Sequence, residues 1–210
     1  AVENLSVALI ARSPVFGGTV ASFDATKAKA VRGVRMVVQV SSGVAVVADG
    51  YWPAHKGRAA LDVTWTEGKN AAVSDASIAR LFAAKAHDGD AAGAVARAAT
   101  KVEAAYDAPF LAHATMEPMN CTADVRADGV DIWASTQFQT GAQGLGAAIS
   151  GLPPKVVKVH TTYLGGGFGR RFEMDFIQDA LEVSKAIGGP AKVIWSREDD
   201  MRHAQYRPAS

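Results

Sequence analysis

A glycine-rich run is the part of the sequence best suited to binding chemistry. It reads Gly165-Gly166-Gly167-Phe168-Gly169-Arg170-Arg171, and it lies between an apolar β-branched stretch and a stretch with helical spacing. Consecutive glycines let the backbone approach a bulky ligand and adopt positive φ, and free N–H groups ahead of a helix favour an anion. The run suits a phosphate-bearing cofactor, which Arg170 and Arg171 favour, although a turn that serves only packing explains it about equally well.

Two well-known phosphate-binding patterns do not fit this run. A Walker loop requires Gly-Lys-Ser/Thr, which is absent, and a dinucleotide-binding loop requires glycine where Arg170 stands. A protein that binds a nucleotide phosphate through the run remains an alternative, weakened by both mismatches.

Three other clusters could also carry chemistry. The run from His113 to Cys121 has one His, one Glu and one Cys without spaced partners, which is a poor zinc set and more typical of a loop. Cys121 would need a nearby base to act as a nucleophile. Gln137 lies between a predicted strand and a predicted helix, where it could bind a ligand or belong to a helix-capping turn. The run Ser196–Met201 is typical of a solvated charged loop.

Composition limits the class of protein and its partners. The 210 residues are 49% hydrophobic, with a formal net charge of +1 and one cysteine. This is a globular chain whose charge calls for neither nucleic acid nor an anionic membrane, and one cysteine forms no disulfide or iron–sulfur site alone. Because the sequence has no apolar run that would span a membrane and no signal-peptide pattern at Ala1–Arg12, we leave the compartment undecided between cytoplasm and periplasm.

Hydrophobic patterning predicts an α+β protein with two units joined by a helical connector. The first unit covers residues 1–68, the connector residues 69–100 and the second unit residues 101–210. In the first unit we predict strands at Val7–Arg12, Val34–Val40, Val44–Ala48 and Leu61–Thr66, and helices at Ala25–Val31 and Pro53–Ala60. In the connector we predict helices at Ser74–His87 and Ala91–Ala99.

The second unit alternates strands with helices. We predict strands at Val102–Phe110, Thr122–Arg126, Val130–Ser135, Val156–Leu164 and Ala191–Ser196, and helices at Thr140–Ser150 and Met174–Ile187. Pro153-Pro154 and Gly188-Gly189-Pro190 each separate a predicted helix from a predicted strand, as αβ connections do. Gln137 and the glycine run therefore each follow a predicted strand.

In this order, the clusters resemble the molybdenum-binding large subunit of the xanthine oxidase family, most closely its isoquinoline oxidoreductase and aldehyde dehydrogenase branch. The resembling stretches are PFLAHATMEPMNCTA, WASTQFQTGAQ, VHTTYLGGGFGRRFEMDF and WSREDDMRHAQYRP. The first unit is similar to that family's α/β hammerhead domain in ALIARSPVFGGTVASFDATKAKAVRGVRMVV and GVAVVADGYWPAHKGRAALDVTW. The resemblance implies a hammerhead domain followed by part of a molybdenum-cofactor-binding α+β domain.

This resemblance implies an oxidoreductase that hydroxylates aldehydes or N-heterocycles with oxygen from water. Its relatives bind molybdopterin, often in the cytosine dinucleotide form, and pass two electrons to a small subunit with two [2Fe–2S] clusters. The cofactor's dithiolene sulfurs, and no protein side chains, hold the metal. The positions assigned to the cofactor by resemblance are Gly166, Gly167, Phe168 and Gly169 beside the molybdenum ligands and Gln137 as a hydrogen-bond partner; we add Arg170 to this set.

Two differences from the family pattern shape the prediction. Xanthine-oxidising members have Lys-Glu after the loop where this chain has Arg171-Phe172, so an apolar substrate is favoured over a purine. The family's base glutamate lies in a Gly-Val-Gly-Glu-like motif that this chain lacks, and Glu117 belongs to another motif, so we name no catalytic base. We expect a fragment that is inactive and free of cofactor by itself.

Partners and class follow from these differences. We expect the fragment to pair with the remainder of the large subunit, or with a second copy, through surfaces that are normally covered. The alternative of a different class is a non-catalytic binding or assembly module that retains the fold without the cofactor. The intact glycine loop and Gln137 favour the enzyme, whereas the missing base favours an inert piece.

Overall fold

The computed structural model describes residues 2–85, 89–104 and 106–209. Its strands are β1 (Ser6–Ala11), β2 (Thr19–Asp24), β3 (Val34–Val40), β4 (Gly43–Ala48), β5 (Asp62–Thr66), β6 (Asn120–Val125), β7 (Val130–Ala134), β8 (Val157–Thr161) and β9 (Ala191–Ile194). Its helices are α1 (Thr26–Lys29), α2 (Tyr51–Ala59), α3 (Asp75–Lys85), α4 (Ala91–Arg97), α5 (Gln139–Ser150), α6 (Asp175–Ile187) and α7 (Arg197–His203). Among the residues described, no helix has the length and apolar character needed to cross a bilayer.

Within this part of the chain, seven strands form a mixed sheet in the order β3-β4-β1-β9-β6-β7-β8, and β2 pairs with β5 separately. β1 lies antiparallel to β4 and parallel to β9, so strands distant in sequence meet at the centre of the sheet. β7 and β8 are parallel, and α5 forms the crossover that such a pair requires. The C-terminal ends of β7 and β8 consequently share one edge, where Gln137 and the glycine run follow them.

The apolar core lies between the large sheet and α6. β4 is buried along its whole length, and its apolar sequence is that of a central strand covered on both faces. α6 buries Phe176, Ile177, Ala180 and Leu181, which recur at helical spacing on one face. This packing fixes α6 directly after the glycine run.

The mixed α/β architecture is confirmed, and most predicted elements are found within two residues of their predicted bounds. Val34–Val40 has the predicted bounds. The predicted helix end at His87 lies outside the described residues. The large sheet contains strands from both predicted units: β1, β3 and β4 come from the first unit, and β6 to β9 come from the second. The hammerhead assignment and the boundaries of the two units stay predictions.

Three segments differ from prediction. The described residues of Val102–Phe110 form no strand, and Val102 and Tyr106 are almost fully exposed, because an apolar run becomes a strand only where a neighbouring strand can pair with it. Thr19–Asp24, for which no element was predicted, is β2. Ser196–Met201 is not a solvated loop: it begins α7 through a capping box between Ser196 and Asp199.

Candidate functional site

The glycine run forms a tight loop after β8. Gly166 and Gly169 both have φ of +95°, and Phe168 has φ of +54°. Glycine adopts this left-handed region readily, whereas residues with a Cβ rarely do. A short 3₁₀ turn, Arg170–Phe172, follows the loop and leads to α6. Both ends of the loop are therefore fixed by the surrounding elements.

Two glycines let neighbouring side chains come very close to the loop. A Cβ atom on Gly165 would lie 2.5 Å from Cβ of Glu117. A Cβ atom on Gly167 would lie 2.7 Å from Oε1 of Gln137. Both distances are well below van der Waals contact, so a larger residue at either position must displace its neighbour. Close packing thus accounts for glycine at these two positions.

Successive carbonyl groups at the start of the loop are paired, whereas the N–H groups that follow Gly165 are free. The carbonyls of residues 165, 166 and 167 accept hydrogen bonds from the N–H of Glu117, the Nε of Arg171 and the N–H of Arg170, at 3.0, 2.7 and 2.9 Å. Within the described residues, the N–H groups of residues 166–169 have no acceptor. Successive free N–H groups form a site for the electronegative atoms of a ligand.

Arg171 is fully buried behind this loop. Its guanidinium donates to the carbonyl of Gly166 at 2.7 Å, to Oγ of Ser135 at 2.6 Å, and to the carbonyl and Oε2 of Glu117 at 2.9 and 2.8 Å. Burial lowers the pKa of Arg171, and the charge of Glu117 opposes part of that change. The side chain therefore serves contacts inside the protein.

Glu117 holds the other side of the loop and was not recognised from the sequence. Its Oε2 accepts from the N–H of Gly165 at 2.8 Å, and its Oε1 accepts from Nδ2 of Asn120 at 2.8 Å. Burial raises the pKa of Glu117, whereas these two hydrogen bonds and the charge of Arg171 lower it. The lowering is larger, so the pKa lies below its ordinary 4.5. Since 48 residues separate Glu117 from Gly165, no local spacing could have indicated this contact.

Gln137 lies against the residues that follow the loop. Its N–H donates to the carbonyl of Arg171 at 3.0 Å, and its Oε1 accepts from the N–H of Arg171 at 3.3 Å. Its exposed side chain also has an Nε2 that finds no acceptor in the described part of the chain. Gln137 does not cap α5, which begins at Gln139 without a side-chain cap, and the N–H of Phe138 donates to Oγ1 of Thr136 at 3.0 Å. The Nε2 of Gln137 is therefore available to bind a ligand.

Arg170 is fully buried and points away from this cluster. Its guanidinium makes a bidentate pair with Asp175, at 2.9 Å for both bonds, and its Nε lies 3.6 Å from Oδ1 of Asp200. It also lies 5.1 Å from the ring centre of Trp195. The expectation that Arg170 and Arg171 attract an external anion finds no support in these contacts. The assignment of Arg170 to a cofactor stays a prediction.

The remaining residues of the His113–Cys121 run serve packing more than chemistry. Cys121 is buried in β6, and burial raises the pKa of its thiol, which disfavours the thiolate. Burial, and then the charges of Arg207 and Arg170, lower the pKa of His113. Within the described residues, no group of His, Cys, Asp and Glu is arranged to hold a metal ion. Asn120 and Cys121 lie in β6, whereas the rest of the run forms bends and irregular backbone, and its interpretation as a packing segment stays a prediction.

Aromatic side chains cover the outer face beside the loop. The rings of Phe138 and Phe172 stack with centroids 4.6 Å apart and planes 3° apart, and both side chains remain partly exposed. Phe168 is mostly exposed. The exposed surface beside the loop thus carries aromatic side chains, whereas charged side chains lie behind it.

The part of the chain that contains the loop, Gln137 and Glu117 matches a known family. Residues 72–210 match the family model described as the molybdopterin cofactor-binding domain. This chain belongs to that family. The resemblance to the molybdenum-binding subunit of the xanthine oxidase family is therefore confirmed.

Two curated relatives match nearly the whole chain. The chain is 31% identical to isoquinoline 1-oxidoreductase subunit beta of Brevundimonas diminuta, across 99% of the chain and 29% of that protein. It is 34% identical to a membrane-bound aldehyde dehydrogenase [pyrroloquinoline-quinone] of Gluconacetobacter polyoxogenes, across 93% of the chain and 28% of that protein. The chain thus spans under a third of the length of these relatives.

Solved structures share the fold. The aldehyde oxidoreductase of Desulfovibrio desulfuricans ATCC 27774 superposes with a TM-score of 0.73 at 16% identity, covering 99% of this chain and 29% of that one. Quinoline 2-oxidoreductase of Pseudomonas putida 86 superposes with a TM-score of 0.71 at 16% identity, covering 95% of this chain and 32% of that one. At these identities the comparison establishes the fold alone.

Proposed function

We propose that this chain supplies part of the cofactor site of a molybdenum hydroxylase that oxidises aldehydes or N-heterocycles with oxygen from water. The loop of residues 165–169 carries the proposal, because its carbonyls bind to the protein interior while the N–H groups of residues 166–169 have no acceptor within the described residues. Such a row of donors suits the electronegative atoms of molybdopterin. Gln137 adds a side-chain amide at the same place.

The residues at the loop fit a cofactor that brings its own metal ligands. The described residues include no group of His, Cys, Asp and Glu arranged to hold a metal, and Cys121 is buried, which agrees with a metal that arrives within a cofactor. Bound molybdopterin would supply the two-electron redox chemistry. The residues that we assign to its binding are Gly166, Gly167, Phe168, Gly169 and Gln137. Arg170 supports the loop through its N–H group.

The apolar face beside the loop supports an aldehyde or aromatic N-heterocycle as substrate. Phe172 stands where purine oxidisers carry a carboxylate, and it stacks on Phe138 at the edge of the site. A stacked, partly exposed aromatic pair offers a flat apolar surface and no hydrogen bond for a purine. The names of the isoquinoline and aldehyde relatives agree with this substrate class.

The chain covers less than a third of the length of these relatives, which supports partners that supply the rest of the protein. We propose that the remainder of a large subunit completes the site, and that a small [2Fe–2S] subunit accepts the electrons. Because this chain contains no family base glutamate, we propose that these 210 residues are inactive alone. The cytosine dinucleotide form of the cofactor belongs to the same proposal.

Metal analysis of the full-length gene product, expressed with its neighbouring small subunit, tests the function. We expect molybdenum and a releasable cytosine nucleotide, and we expect both to fall in Gln137→Ala. Gln39→Ala, which removes an exposed glutamine on β3, is the matched control and should retain both. A wild-type protein without molybdenum would refute the proposal and would favour a module that keeps only the fold.

Turnover assays on the loaded protein test the substrate class. An aromatic aldehyde and an isoquinoline-type ring should be oxidised, whereas a purine should not. Purine turnover comparable with the other two would contradict the role given to the Phe138–Phe172 pair.

A further inference from the structure

Two side chains behind the loop, the fully buried Arg171 and the partly exposed Glu117, determine which way the loop's peptide groups face. Glu117 binds Gly165 twice: its carboxylate accepts the N–H at 2.8 Å, and its own N–H donates to the carbonyl at 3.0 Å. Arg171 binds the next carbonyl, that of Gly166, through Nε at 2.7 Å. The two residues are joined by an ion pair of 2.8 Å.

Peptide geometry turns these contacts into an orientation of the donors. In a planar trans peptide, the C=O of one residue and the N–H of the next point in opposite directions. The carbonyl of Gly165 is held by Glu117, so the N–H of Gly166 points away from Glu117. The carbonyl of Gly166 is held by Arg171, so the N–H of Gly167 points away from the buried guanidinium. The free donors therefore face outward because these carbonyls face inward.

Arg171 also sets the position of Gln137. Its carbonyl accepts from the N–H of Gln137 at 3.0 Å and from Oγ1 of Thr136 at 3.1 Å, and its N–H donates to Oε1 of Gln137 at 3.3 Å. Gln137 Oε1 is thereby occupied within the protein, which leaves Nε2 as the end of the amide that a ligand can use. The side chain of Arg171 thus binds the loop, and the backbone that this side chain anchors binds the glutamine.

We propose that Glu117 and Arg171 form a positioning pair that orients the N–H groups of Gly166 and Gly167 and the amide of Gln137 toward the cofactor. This inference rests on the proposed function and names the residues that hold the cofactor-binding groups in place. Neither residue takes part in a reaction step. The pair acts through the backbone of the loop.

Arg170 provides a matched control for Arg171. Both arginines are adjacent, fully buried and paired with carboxylates, but the guanidinium of Arg170 binds Asp175, away from the loop carbonyls and Gln137. A loss caused only by disturbing a buried arginine should appear in both variants. A loss caused by misplaced donors should appear for Arg171 alone.

Amide hydrogen exchange on the full-length gene product tests the pair in Glu117→Gln, Arg171→Lys and Arg170→Lys. Glutamine keeps the size of Glu117 but loses its charge and one acceptor oxygen, and lysine keeps the charge of Arg171 but cannot span its four acceptors. We expect protection of the N–H groups of Gly165 and Gln137 to fall at least about tenfold in the first two variants, while β4 stays protected. Arg170→Lys should leave these two amides unchanged.

Molybdenum content of the same proteins completes the test. We expect Glu117→Gln and Arg171→Lys to retain less than about a third of the wild-type molybdenum. Equal losses of amide protection in all three variants would overturn the inference, and so would wild-type molybdenum in the first two. A wild-type protein that lacks molybdenum would instead refute the proposed function, so the two failures are distinguishable.

Discussion

The cluster around Asp179 and the cluster around Glu117 both hold a buried arginine, but with different acceptors. Asp179 is 2% exposed and its carboxylate accepts from Arg12 at 2.5 Å, from Trp195 Nε1 at 2.9 Å and from Ser42 at 2.6 Å. Glu117 is 33% exposed, and its partner Arg171 makes two of its four side-chain hydrogen bonds to backbone carbonyls. One cluster therefore joins side chains, and the other fixes a loop.

The difference assigns the two clusters to separate tasks. The Asp179 cluster connects β1, the β3–β4 turn, α6 and the end of β9, which are elements from both predicted units. Loss of its carboxylate would leave a buried charge without a partner, which is costly. The Glu117 cluster contacts few elements but determines the direction of peptide groups. We expect the first to govern stability and the second to govern ligand binding.

The largest effect should come from Asp179→Asn. The substitution keeps the volume but removes the charge that compensates Arg12, so the free energy of unfolding should fall by about 3 kcal/mol or more. Urea denaturation measures the change. Asp128→Asn, at a side chain that is 91% exposed, is the control and should alter the free energy of unfolding by less than about 0.5 kcal/mol. A loss below about 1 kcal/mol for Asp179→Asn would remove the distinction between the clusters.

A smaller loss of stability, with a clear loss of ligand, should follow Gly167→Ala. The new Cβ would lie 2.7 Å from Oε1 of Gln137, so the loop or Gln137 must move, at a cost of about 1–3 kcal/mol. Molybdenum content of the full-length protein should fall together with stability. Gly144→Ala is the matched control, because it lies inside α5 with no atom within 4 Å of the new Cβ. That variant should be stabilised by up to about 1 kcal/mol and should keep its molybdenum.

Acidification should weaken the Glu117 cluster. The folded-state pKa of Glu117 is lowered below the ordinary 4.5, so its contribution is present above pH 4.5 and is lost as pH falls through the folded pKa. Because the carboxylate is partly exposed, we expect only about a two- to fivefold loss of protection at the N–H of Gly165. Hydrogen exchange between pH 6 and pH 3, corrected for intrinsic rates, measures it. Glu117→Gln should remove this dependence; an unchanged profile in that variant would place its cause elsewhere.

The sequence predicted the elements of the site better than the contacts within it. The apolar patterns of β7 and β8 located the strands, and Gln137 and the glycine loop follow them as predicted. The parallel pairing of β7 and β8, which brings the two together, was not predicted. Glu117 was missed because the contact that gives it a role depends on a residue 48 positions away. α7 was read as a solvated loop because its acidic residues look like surface charges, yet Asp200 is buried beside Arg170. Buried charge pairs are properties of the fold, and charge patterns along the chain do not reveal them.

The smallest effect should come from an arginine–carboxylate pair at the surface. Arg35 and Asp49 form an ion pair, but both side chains are about half exposed, so water and salt screen their attraction. Asp49→Asn should change the free energy of unfolding by less than about 0.5 kcal/mol, and the difference should shrink further in 0.5 M salt. A change as large as that of Asp179→Asn would mean that pairing alone, and not burial, sets the energetics of these clusters. The contrast with Asp179 and Glu117 therefore requires that loss of this third pair leave the free energy of unfolding almost unchanged.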